Sequence, residues 1–119
     1  MTHRIYQMTF PSIYKALVAK VERKGGSEAD VDAITSWLTG YSLEQLAELK
    51  QSETTYGDFI NQGPAYHPAR TNITGKICDV QIETIEDPTM QELRRLDKLV
   101  DWLAKGKTVE QVIDKYAKD

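Results

Sequence analysis

The chain has 119 residues, 40% of them hydrophobic and 28% charged, with a formal net charge of −3. That length supports one helical domain over residues 1–119 that buries its own core without covalent staples. Acidic and basic residues are interleaved throughout, which argues against a nucleic-acid partner without excluding a local basic patch.

The opening stretch MTHRIYQMTF is too short and mixed to define an element, although Ile5, Tyr6 and Met8 are expected to anchor on the core. It lacks the apolar centre of a signal peptide, and no run approaches membrane-spanning length. The single cysteine, Cys78, cannot form an internal disulfide and suits a reducing compartment, so the expectation is a cytoplasmic protein with no membrane contact. Thr9 can cap a helix that begins at Phe10 and tolerates Pro11 in its first turn. Phe10, Ile13, Tyr14, Leu17, Val18 and Val21 share one face of it, and Gly25-Gly26 ends it. Ser27 opens a second helix, with Asp30 at capping-box spacing, a buried stripe of Val31, Ile34, Trp37 and Leu38, and Gly40 as its stop.

Ser42 and Gln45 repeat the capping-box spacing, and Tyr41 with Leu46 forms a hydrophobic staple, so a tight corner leads into a third helix from Leu43 to about Gln51. A short helix is predicted over Tyr56 to Asn61, anchored by Phe59 and Ile60. From Gly63 to Gly75 the residues read as a loop with two prolines and no period. The next piece, ICDVQIETIE, fits both a strand and a helix. Alternation of Cys78, Val80 and Ile82 with polar residues favours a short strand or strand pair at about 77–83, partnered by the segment around Ile5 or by a second subunit.

The longest pattern is DPTMQELRRLDKLVDWLAK, a helix at about 88–105 that organises the chain. Asp87 caps it, Pro88 takes the first helical position, and Gly106 stops it. Met90, Leu93, Leu96, Leu99, Val100 and Leu103 fall on one arc at 100° per residue, wide enough for a core-facing helix. Thr108 and Gln111 start a last helix with a stripe of Val109, Val112, Ile113 and Tyr116. The fold class is therefore mainly α, a small multi-helix domain around the long helix.

Seven segments in order, IYQMTF, KVERKGG, WLTGY, ITGKIC, IEDPTMQ, RRLDKLVD and LAKGK, resemble domain of unknown function 2200, a family of small bacterial proteins. The likeness runs from about Ile5 to Ile113. Each motif is weak alone; their order is specific. The resemblance implies a bacterial cytosolic single-domain protein and transfers no catalytic residue.

The residues themselves offer little chemistry. His3 and His67 are the only histidines and no cysteines are paired, so no metal site and no cofactor are expected. Asp79 beside Cys78 would disfavour a thiolate, which makes that cysteine a core residue rather than a nucleophile. Glu83, Glu86 and Asp87 sit where a helix dipole favours negative charge, and the crowding has a structural explanation before a catalytic one. No catalytic residue is assigned. The last two helices, WLAKGKTVEQVIDKY, have the short glycine turn of a helix-turn-helix, but the outward residues Glu110, Gln111, Asp114 and Lys115 include two carboxylates that would repel phosphate.

Trp102 is the odd residue. It lies about 60° outside the apolar arc at 100° per residue, with Arg95, Lys98 and Lys105 as neighbours. Either the last helix folds over it and a cation packs on the ring, or the ring anchors an interface formed with those three residues. The leading expectation is a non-catalytic protein-interaction or regulatory module, with a homodimer or another protein as partner. The alternative is a nucleic-acid-binding regulator using the 97–117 helix pair. A third is a small enzyme with carboxylates near 83–87. No small-molecule ligand is indicated.

Overall fold

The computed structural model describes residues 4–77 and 79–117. Cys78, expected in the core, and His3, expected in solvent, lie outside the described residues. In chain order the helices are α1 (Arg4–Gln7), α2 (Phe10–Glu22), α3 (Glu28–Thr39), α4 (Leu43–Leu49) and α5 (Tyr56–Asn61). A hairpin of β1 (Lys76–Ile77) and β2 (Val80–Gln81) then leads to α6 (Pro88–Ala104) and α7 (Val109–Tyr116).

Each α-helix from α2 to α7 begins where a side chain satisfies an orphan N–H. Thr9, Ser27, Ser42, Thr55, Asp87 and Thr108 all cap as acceptors, and the Ser27–Asp30, Ser42–Gln45 and Thr108–Gln111 boxes are complete in both directions. At α6, Met90, Leu93, Leu96, Leu99, Val100 and Leu103 are all buried, each contributing roughly 1.5–3 kcal/mol through the area removed from water. Helices α2, α3, α5 and α7 pack against α6, so it is the axis of the domain.

The hairpin resolves the ambiguous segment as a strand pair that starts one residue before its predicted 77–83 span and stops two residues short of that span's end, because Ile82–Thr84 form a 3-10 helix. Lys76 pairs with Gln81 and Ile77 with Val80, and Asp79 turns the chain at a φ of 62°. The partner within the chain is therefore the adjacent residues rather than the Ile5 segment. Instead, Ile5 and Tyr6 lie half-buried in α1, and the chain just after it pairs elsewhere. The Phe10 N–H donates to the Thr54 carbonyl and the Tyr56 N–H to the Met8 carbonyl, both at 2.7 Å. That pairing fixes the backbone of Met8 while its side chain stays 43% exposed, contrary to its expected anchoring role.

The proline-rich stretch also has more order than its composition indicates. Pro68–Asn72 forms a 3-10 helix, begun by Pro68 and capped by His67, whose Nδ1 accepts the Ala69 N–H at 3.0 Å. Before it, the chain docks on the end of α3. Gly40 takes a left-handed φ of 84°. The Ala65 N–H then donates to the Thr39 carbonyl at 3.0 Å and the His67 N–H to the Leu38 carbonyl at 2.9 Å. A Cβ on Gly40 would lie 2.6 Å from the Ala65 nitrogen, so the contact admits only glycine.

Candidate interaction face

The candidate face lies where the C-terminal half of α6 meets α7. The capping box at Thr108 sets the start of α7, which turns Val112 and Tyr116 inward and leaves Lys115 exposed. Tyr116 reaches α6, where its hydroxyl accepts the Trp102 indole N–H at 2.8 Å. The Tyr116 carbonyl accepts from Asn72 Nδ2 at 2.7 Å, which ties α7 to the 3-10 helix as well. Burial pushes the Tyr116 hydroxyl above its ordinary pKa, and the indole bond offsets part of that rise.

Trp102 is half-buried, so α7 covers its edge and leaves part of the ring in solvent. Three ammonium groups surround that ring. Lys115 Nζ is 4.8 Å from the centroid, Lys105 Nζ 5.1 Å and Lys98 Nζ 5.8 Å, all inside the roughly 6 Å reach of a cation–π contact. Two of them are also held by oxygen. Lys98 donates to the Lys76 carbonyl at 2.8 Å, and Lys105 pairs with Asp101 at 3.1 Å. Asp101 pairs in turn with Lys20 of α2 at 3.1 Å. Burial alone would raise its pKa, but these two lysines together hold the Asp101 carboxyl below the usual value.

The structure thus brings Trp102, Lys98 and Lys105 together and separates Arg95 from them. Arg95 is buried, 8% exposed, and its guanidinium pairs with Glu92. Glu92 also binds Arg70 Nε at 2.6 Å, forming a partly buried Arg–Glu–Arg group about two turns before Trp102 on α6. Lys115 takes the place beside the indole that the helical wheel assigned to Arg95. A wheel of one helix cannot show a residue from the next, although the Thr108 box and the Tyr116 stripe together predict where Lys115 faces.

A groove of three adjoining depressions starts at this tryptophan. The first, about 450 Å³, is lined by Trp102, Lys107, Gln111, Val112, Asp114 and Lys115. The second, about 200 Å³, shares Lys107 and adds Lys24, Asp30 and the glycines Gly25, Gly26 and Gly106. The third, about 380 Å³, shares Lys24 and adds Lys20, Arg23, Asp101 and Lys105. Six cations and three carboxylates line the whole, on a chain whose overall charge is negative.

Of the remaining candidate groups, Glu83, Asp87 and His67 have structural partners. Glu83 accepts the Gly75 N–H at 3.1 Å, and backbone donors including that one hold its carboxyl below the usual pKa. Asp87 caps α6 through the Thr89 N–H at 3.0 Å and accepts the Tyr6 hydroxyl at 2.7 Å. His67 stacks on Trp37 with ring centroids 4.5 Å apart. Among the described residues, no three histidine, cysteine or carboxylate side chains are grouped so as to hold a metal ion. Nor is any described helix long and apolar enough to cross a membrane.

A capped helical domain with a lysine-ringed tryptophan is a class of structure, and comparison with known proteins places it more narrowly. The chain belongs to the family described as an uncharacterized protein conserved in bacteria (DUF2200), which matches residues 4–114. It is also similar to the crystal structure of uncharacterized protein SP1917, at 57% identity and a TM-score of 0.97, covering 100% of this chain and 98% of that one. None of the curated proteins matches this chain.

Proposed function

We propose that the protein is a non-catalytic interaction module of the bacterial cytoplasm that binds a protein partner through the face centred on Trp102. The observation that carries this reading is the half-buried indole with three ammonium groups within 6 Å of its ring. A ring fixed at one edge by the Tyr116 hydroxyl is preorganised, and tryptophan flanked by cations is the composition of an interface anchor. The partner can be a second copy of the chain or another protein. The cytoplasmic assignment is supported by the lone cysteine.

The test is site-specific crosslinking in cells. A photocrosslinking amino acid placed at Lys115 should give a discrete protein adduct that disappears when Trp102→Ala is added. The same group at Glu44, exposed on α4, should give none. Equal adducts from both positions would overturn the reading. The second reading, a nucleic-acid-binding regulator, is favoured by the cations of the groove and opposed by Glu110 and Asp114, which are exposed on α7. A nucleic-acid adduct at Lys115 would put that reading first.

A further inference from the structure

The shape and chemistry of the groove define what kind of partner it suits. We propose that it is a binding site for an extended, carboxylate-rich peptide segment, laid from Lys20 past Lys24 and Lys107 to Trp102. This rests on the reading of the Trp102 face as a protein-binding surface and adds the chemistry of the segment.

Four features support an acidic peptide. The depressions adjoin, because Lys24 lines both the third and the second, and Lys107 both the second and the first. Their charge is also more positive in effect than its count. Asp101 is already held between Lys20 and Lys105, and Asp30 accepts the Ser27 N–H of its own helix cap at 3.2 Å. Among the described lining residues, Asp114 and the hydrogen-bonded Asp30 remain to oppose an incoming carboxylate, against the exposed cations Arg23, Lys24, Lys107 and Lys115. Long-range attraction of an acidic chain follows from that excess.

Main-chain access is the third feature. Gly25 and Gly106 have positive φ values of 91° and 96°, and the space where a Cβ would stand at either is open. Bare backbone at the centre of a groove lets another main chain approach closely. Helices α2 and α6 end there and α3 and α7 begin there, so the helix dipoles offset one another and the side chains set the charge preference.

The ring is the fourth. A nucleotide base would have to displace ammonium groups to stack on Trp102, whereas carboxylates can pair with Lys107 and Lys115 where they stand. The groove therefore favours acidic peptide over single-stranded nucleic acid.

Fluorescence anisotropy on the full chain tests this, with a labelled peptide of alternating aspartate and glutamate as probe and a labelled oligothymidylate of matched charge as competitor class. The peptide should bind more tightly than the oligonucleotide. The double reversal Lys24→Glu with Lys107→Glu should weaken it by about tenfold or more, as two exposed charge pairs allow. Lys24→Ala with Lys107→Ala should weaken it less, and unchanged melting of both variants shows that the fold is intact. Tighter binding of the oligonucleotide, or peptide binding indifferent to both double variants, would overturn the proposal. Absent peptide binding alongside a Trp102-dependent crosslink at Lys115 would overturn the acidic segment alone. Peptide binding lost on charge reversal but unchanged by Trp102→Ala would sustain the groove and remove the tryptophan from the reading above.

Discussion

Aromatic rings appear at both ends of this domain in opposite settings. Around α2 and α5 they close on each other: the Phe10 ring lies 4.7 Å from Tyr14 and 4.5 Å from Phe59, and Tyr41 stacks on Phe59 at 5.2 Å. These rings are buried, and the Tyr41 hydroxyl reaches the Phe59 carbonyl at 2.8 Å. Where α6 meets α7, the neighbours of Trp102 are ammonium groups, and its one polar bond goes to the next helix. Aromatic area in the first region is spent on cohesion. In the second, part of it stays exposed to solvent.

Truncation should separate the two regions most strongly. Phe59→Ala removes a fully buried ring from the centre of the stack and should cost about 3–5 kcal/mol in denaturant unfolding. Trp102→Ala should cost only about 1–2 kcal/mol, from one hydrogen bond and half-buried apolar area. Equal losses from the two variants would erase the distinction and make Trp102 a core residue.

Protonation offers a finer test, because α6 carries one carboxylate toward each region. Asp97, paired with Arg94 at 3.0 Å, has its pKa raised by burial, which outweighs the attraction of Arg94. Its charged form is therefore a net cost to folding that is present at neutral pH and relieved as pH falls toward the ordinary value of 3.8. Asp101, one turn on, has a lowered pKa, so its charge contributes stability above 3.8 that is lost as pH falls through the folded-state value. Asp97→Asn should thus gain stability relative to the natural chain at neutral pH, and Asp101→Asn should lose it. Both differences should shrink in acid, and urea titrations at a series of pH values would reveal them. A loss for Asp97→Asn at neutral pH would mean that Arg94 governs that site.

Most of the architecture was legible because it is written in local chemistry. Thr9, Ser27, Ser42, Asp87 and Thr108 mark helix starts by an acceptor side chain, and the apolar arc of α6 needs only its own spacing. What escaped depends on contacts made across the chain. His67 caps a 3-10 helix with a ring nitrogen, which no serine or aspartate rule anticipates. Met8 stays exposed because its backbone, not its side chain, is what the fold uses. The site divides along the same line. Trp102, Lys98 and Lys105 share a helix and are grouped by spacing, while Arg95 pairs with Glu92 instead, and Lys115 comes from α7.

The close approach at Gly40 makes the end of α3 a late event in the life of the chain. The carbonyls of Leu38 and Thr39 are completed by Ala65 and His67, which leave the ribosome after the helix itself. A nascent or truncated chain that stops short of those residues carries a helix whose Leu38 and Thr39 carbonyls lack these donors. Inheritance at position 40 is constrained accordingly: a side chain there would not lengthen or weaken one helix but would deny a distant segment its berth. Drift in the 63–67 segment and drift at Gly40 are therefore coupled, although neither stretch touches the groove.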